Sequence, residues 1–320
     1  MRSTLRRPLS LALLLSLVAA LLVAVSGPVA TSSAAGTATM TNGCAVSARG
    51  IPSCGAYVGA AYGGNADLAP WEKTLGKTLG VHRTYWGSSS VASAVKSATA
   101  DAAKKRVPWM SFKAPYSWKD MAAGKGDAWA KDLATRMKST GGPVWVAVHH
   151  EPENDGGDIQ QWKAMQNRIG PIMRAAAPNL GFSVILMGYH EFHGAAKYSM
   201  ANIWPKTTVD IAGFDIYETY GHKGSTTWKA FDENYFKPLQ AWSKTSGVKW
   251  GLAETGYTDA AAAKKSTWMK STVYDGMVAR GGVAMSYFNT NLNSTTNWAL
   301  STSAKKTAFA AVNKAAPILR

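Results

Sequence analysis

The stretch Val144-Trp-Val-Ala-Val-His149-His150-Glu151-Pro152-Glu153-Asn154-Asp155 runs an apolar segment straight into imidazoles and carboxylates. Charges at the end of a buried strand need partners or a task. A second stretch, Trp250-Gly-Leu-Ala-Glu254-Thr-Gly256, is another short apolar run that ends in a lone carboxylate. The chain holds only seven Glu, and five of them (Glu151, Glu153, Glu191, Glu218, Glu254) fall in or just after strand-like runs, as do all six His. Acids that merely solvate belong on outer helix faces. Two carboxyls facing each other across a cleft are what glycoside hydrolysis requires, one protonated and one ionised. A nearby cation keeps the nucleophile ionised, while burial and a like charge keep the acid protonated. Ion pairs at strand ends are the structural alternative for Glu151 and Glu254. Glu153 is a rival for the acid role, and a supporting carboxylate is its preferred reading.

Eight short apolar runs can position these groups: Ala56–Gly59, Val81–Trp86, Val107–Lys113, Val144–His149, Phe182–Tyr189, Ile211–Tyr217, Trp250–Glu254 and Val283–Phe288. They read as buried parallel strands. Amphipathic segments separate them, near Leu68–Leu79, Val91–Lys105, Asp127–Ser139, Thr227–Ser246, Ala261–Ala279 and Ser301–Ala315. One further helix opens at an Asp158 cap and carries Ile159, Trp162, Met165 and Ile169 at helical spacing, with Gly170-Pro171 expected to kink or end it. Number, order and size match an α/β fold, the (β/α)8 TIM barrel, as a single domain over 44–320. A doubly wound sheet is the alternative, but Gly59-Ala-Ala-Tyr-Gly63-Gly64 lacks the phosphate-loop spacing. In such a barrel the strand ends form the site, and the fourth and seventh strands face each other across its mouth.

With the barrel order in view, His150-Glu151-Pro152-Glu153 and Gly251-Leu-Ala-Glu254-Thr-Gly256 resemble the acid/base and nucleophile strands of clan A retaining glycoside hydrolases. His directly before the first Glu resembles glycoside hydrolase family 26, mostly endo-β-mannanases. The resemblance implies net retention and no cofactor. By position it implies Glu151 as general acid/base and Glu254 as nucleophile. It also implies His150 orienting sugar and nucleophile, Arg83 holding Glu254 ionised, and Tyr217 hydrogen-bonding Glu254. The eighth strand departs from the usual pattern, reading Ser286-Tyr287-Phe288-Asn289 where a Trp is common. Sugar stacking then falls to Tyr287, Phe288 or Trp298.

Trp occurs 13 times. Trp109, Trp145, Trp162 and Trp250 read as core. Trp86, Trp118, Trp204 and Trp298 read as rim platforms for the apolar faces of sugars, with core packing as the alternative for each. A metal-dependent barrel hydrolase is the first rival reading, with His149, His150, His190, His193, Glu151 and Asp155 as possible ligands. A non-catalytic carbohydrate-binding barrel is the second. A nucleic-acid partner is rejected because the basic residues are spread over many helices. Nothing argues for an oligomer, so a monomer is expected.

Arg2, Arg6 and Arg7 precede an apolar run from Leu9 to Val25, and Ser32-Ser33-Ala34 could be a cleavage site. This reads as a secretory signal peptide over 1–34, with an uncleaved anchor as the alternative. A flexible spacer over 35–43 is expected next. In an exported chain Cys44 and Cys54, the only cysteines, should form a disulfide. The net charge is +16 in full and +13 without the leader, which suits association with an anionic cell wall.

Overall fold

The computed structural model describes residues 38–292 and 294–320. The leader expected over 1–34 lies outside them. Among the described residues, no helix is long and apolar enough to cross a membrane. The eight expected strands are all present: β1 (Tyr57–Tyr62), β2 (Val81–Trp86), β3 (Val107–Phe112), β4 (Val144–Val148), β5 (Leu180–Leu186), β6 (Ile211–Glu218), β7 (Lys249–Tyr257) and β8 (Gly282–Asn289). They pair in parallel, each with the next, and β8 closes on β1.

The helices fall between them: α1 (Ala69–Leu75), α2 (Val91–Ala103), α3 (Trp118–Ala122), α4 (Asp127–Lys138), α5 (Ile159–Ala176), α6 (His190–His193), α7 (Met200–Ile203), α8 (Lys237–Ser246), α9 (Asp259–Lys264), α10 (Asp275–Ala279) and α11 (Ser303–Ala315). Short π-helical segments, Asp232–Phe236 and Met269–Tyr274, lead into α8 and α10. Asp158 caps α5 by accepting from the Gln160 amide. The helix does not end at Gly170-Pro171 but continues to Ala176, because its apolar face carries on through Met173. Gly170 lies where a Cβ would meet Thr207 and Phe182 at 2.9 and 3.0 Å, so a larger residue would push the helix off β5.

Strand alternation divides the apolar side chains into two layers. Tyr57, Val81, Val107, Trp109, Trp145, Ile185 and Ile211 fill the barrel interior. Val58, Met110, Phe112, Val146, Phe182 and Phe214 face outward into the helix layer. The barrel is therefore a packed core rather than a pore.

The spacer expected over 35–43 is corrected for residues 38–43. Thr39 bridges Ala45, Met40 bridges Leu319, and Met40 is fully buried. The apolar Met40 has a slot against the C-terminal residues, so this segment packs. Cys44 and Cys54 form the expected disulfide, with their Cα atoms 5.4 Å apart. This N-terminal lobe covers the bottom of the barrel: the Trp145 indole donates to the Arg49 carbonyl at 2.8 Å, and Arg49 Nη1 donates to the Leu180 carbonyl at 2.6 Å.

Candidate active site

At the opposite end a cleft of about 560 Å³ opens over the strand termini. Glu254 forms its floor, and three donors converge on its carboxylate. The Tyr85 hydroxyl donates to Oε1 at 2.6 Å, the Tyr217 hydroxyl to Oε2 at 2.6 Å, and Arg83 Nη2 to Oε1 at 3.3 Å. Arg83 is fully buried and steadied by Nη1 donating to Ser111 Oγ at 2.8 Å, with its guanidinium 4.3 Å from the Tyr85 ring centre. Burial and the adjacent carboxylate push both phenols well above their ordinary range, so both remain donors.

Two irregularities aim the carboxyls. Between β6 and β7 the register slips, so that Phe214 faces Leu252 but Asp215 faces Glu254, leaving Ala253 as an extra residue. Strict alternation would turn Glu254 outward beside Leu252; the bulge turns it into the cleft. After β4, His149 and Glu151 adopt left-handed φ values of 57° and 50°. Such values in non-glycine residues are strained and need support. Support comes from the His149 amide donating to the Phe112 carbonyl and the Glu151 amide to the Ile185 carbonyl, at 2.8 and 3.1 Å.

Glu151, Asp215 and Glu254 each bring a carboxyl oxygen within 4.8 Å of the others. Burial, then the Glu254 and Glu153 charges, push Glu151 up to about 8, against the opposing charge of Arg83. Asp215 is itself held well above the carboxylate range by burial and by its two acidic neighbours. Glu151 is therefore mostly protonated at neutral pH, while Arg83 sits directly on Glu254.

His150 lines the cleft beside Glu151, with its ring 5.6 Å from that of Tyr85. Burial, then Arg83 and Lys113, hold it well below the usual imidazole range, so it is neutral. It makes no hydrogen bond to Glu254 among the described residues. Phe288 and Trp298 form the aromatic wall, Trp298 lying 4.6 Å from Tyr217 between ring centres.

Trp86 and Tyr287, expected at the sugar, are not in the cleft. On β2 the alternation sends Arg83 and Tyr85 inward, and Trp86 outward to donate to Thr84 Oγ1 at 2.8 Å. On β8 it sends Phe288 inward and Tyr287 out toward Phe309, fully buried. Trp118 is buried edge-on against His149, and Trp204 packs on Trp242, so neither is an open platform. Trp109, Trp145, Trp162 and Trp250 are fully buried. Glu153 points away from the cleft and accepts from the Met187 amide at 3.1 Å; burial and contact with Glu191 push it up to about 9.

The metal ligands considered from the sequence do not converge. His149 binds Asp155, and His193 meets the Asn234 carbonyl at 2.7 Å. Among the described residues, Glu151, Asp215 and Glu254 are the one group of three or more potential ligands that come together, and it contains no His. Two site residues were missed in the sequence. Asp215 was visible within Gly213-Phe-Asp-Ile-Tyr217, two positions before Tyr217 and so on the same face. Tyr85 was visible by the same rule, two positions after Arg83.

No family model matches the chain, and no curated protein matches it. Solved structures do. A family 26 β-mannanase from Bacteroides ovatus is 14% identical with a TM-score of 0.57, the match covering 82% of this chain and 89% of that one. An endo-β-1,4-mannanase double mutant from Cellulomonas fimi is 13% identical with a TM-score of 0.56, covering 80% and 71%. The cellulose synthase subunit Z of Clostridioides difficile is 14% identical with a TM-score of 0.59, covering 80% and 99%. Identities this low speak for the fold alone, the (β/α)8 barrel that this chain shares with these structures.

Proposed function

We propose that the protein is a secreted, monomeric, retaining endo-glycosidase acting on a β-linked polysaccharide, with β-mannan as the first substrate to test. The observation that carries this reading is Glu254 held by Arg83, Tyr85 and Tyr217 with a Glu151 oxygen within 4.8 Å. Carboxyl oxygens brought this close suit a retaining pair, whose carboxyls stand about 5–5.5 Å apart, better than an inverting one at about 6.5–9.5 Å. Glu254 attacks the anomeric carbon while Glu151 gives its proton to the departing glycosidic oxygen. Glu151, now a carboxylate, takes a proton from water, and the resulting hydroxide displaces Glu254 from the sugar. Each carboxyl ends in its starting state. Mannan is favoured by the likeness to mannanases, and secretion by the leader and disulfide.

Purified protein should release reducing ends from one member of a panel of mannans, xylans and β-glucans. Glu254→Ala should lower kcat at least about a thousandfold, and Glu151→Ala about 10²- to 10⁴-fold. NMR of the first-formed product should show the β-anomer. Activity in both variants would sink the site assignment. Binding of a glycan without hydrolysis would favour the carbohydrate-binding barrel.

A further inference from the structure

Lys305 in α11 has no exposed surface, although Lys is almost never fully buried unless paired. Nothing in the proposed chemistry uses it. Its ammonium donates to the carbonyls of Asn297 and Ala299 at 3.0 and 3.1 Å, and it pairs with Asp259 Oδ1 at 2.7 Å. The carbonyl between them, that of Trp298, accepts from the Tyr287 hydroxyl at 2.7 Å. Three successive carbonyls of a surface loop are thus each taken by a buried side-chain donor. Asp259 grips the same loop from its other side, accepting from Asn297 Nδ2 at 3.2 Å and from Ser301 Oγ at 3.0 Å.

Loops ordinarily leave such groups to water. Here the fastened residue carries an aromatic ring on the cleft wall, against Tyr217, which itself donates to Glu254. The arrangement also explains why Tyr287 faces away from the cleft: its hydroxyl serves the backbone of the residue whose ring is in it. A side chain ordered in advance need not be ordered by the ligand, so the gain appears in binding.

We infer that Lys305 and Tyr287 are positioning residues that clamp the backbone of Trp298, fixing its indole as the platform for the sugar unit next to Glu254. The sugar rests on the glycosidase reading; the clamp does not. Lys305→Met keeps the length of the side chain but leaves two carbonyls without a donor and Asp259 without its cation. Tyr287→Phe removes a single oxygen.

The test measures kcat and KM on a soluble β-linked oligosaccharide, alone and in a Trp298→Ala background, with thermal melting as the check of folding. Lys305→Met and Tyr287→Phe should each raise KM about five- to tenfold, with kcat within about threefold. Lys305→Arg should recover most of the loss. Neither variant should add to Trp298→Ala, since the clamp acts through that ring. Unchanged KM in folded variants, or effects that add fully to Trp298→Ala, would overturn the proposal. Tyr287→Phe keeps the test decisive if Lys305→Met fails to fold. Should the wild type hydrolyse no glycan, the glycosidase reading fails and the clamp is judged by amide hydrogen exchange over residues 296–301. Faster exchange in Tyr287→Phe supports it, and unchanged protection overturns it.

Discussion

At the scale of the residue, the pH profile follows from Glu151. Its carboxyl is raised to about 8, first by burial and then by Glu254 and Glu153. The first step needs the protonated form, which predominates below that value. kcat/KM should therefore hold through neutral pH and fall as pH rises past about 8. A kcat/KM that stays level past that value, measured across pH 6–10 (roughly the range that brackets the shift), would refute this role for Glu151. Seven of the expected residues lie at the barrel mouth: His150, Arg83 and Tyr217 were legible through the resemblance to clan A glycoside hydrolases, Trp298 through the loop after the eighth strand, and Glu151, Glu254 and Phe288 through strand position. Strand position misplaced Trp86 and Tyr287 by one residue each, because neighbours on a strand face opposite ways. The Ala253 bulge and the left-handed Glu151 have no such signature. Nothing in Leu-Ala-Glu says that two successive residues will point inward.

At the scale of the element, all eight strands were legible, since a buried parallel strand is a short apolar run. The helices were less so. The segment expected over Ala261–Ala279 divides into α9 and a π segment that leads into α10, and the one expected over Thr227–Ser246 starts with a π segment at Asp232. Both π segments bury aromatic side chains, Tyr235 and Phe236 in one and Tyr274 in the other. Tertiary packing of that kind overrides local periodicity. The join between α1, β2, α2 and β3 was not foreseen either, because it depends on charged residues far apart in sequence. Arg106 is buried, with Nε donating to Asp101 at 2.7 Å and Nη1 to Glu72 at 2.7 Å. Asp101 also meets His82 Nδ1 at 2.9 Å, and Glu72 accepts from the Leu79 amide at 2.8 Å. Arg106→Ala would strand two buried carboxylates. Denaturant titration should show a loss of about 3–5 kcal/mol, the usual result of breaking a buried pair from one side. A loss below about 1 kcal/mol, typical of an exposed pair, would mean that water reaches this network.

At the scale of the molecule, the two ends of the barrel have separate tasks. Scarce acids and aromatic rings gather at the mouth, while the bottom is closed by Met40, Val46 and the Cys44–Cys54 loop, together with Leu319 from the C-terminus. The Arg320 amide donating to the Thr39 carbonyl at 2.9 Å and the Thr41 amide to the Ile318 carbonyl at 2.8 Å tie the two termini of this domain together. The basic residues are spread over many helices, and we propose that the net positive charge serves a salt-reversible association with an anionic cell wall. Moderate salt should release bound protein without changing its turnover of a neutral soluble glycan. The closure at the bottom is a matter of stability. The disulfide closes a loop ten residues apart in sequence, and a crosslink of that size is worth about 2–3 kcal/mol, chiefly through the unfolded chain. Paired Cys44→Ala and Cys54→Ala substitutions should therefore lower the unfolding free energy by that amount, and the thermal midpoint with it. Below the new midpoint, kcat and KM should match the wild type, because the lobe meets β4 and β5 at their starts, whereas Glu151 follows the far end of β4. A changed kcat at temperatures where the variant is fully folded would show that the bottom of the barrel governs the geometry of its mouth.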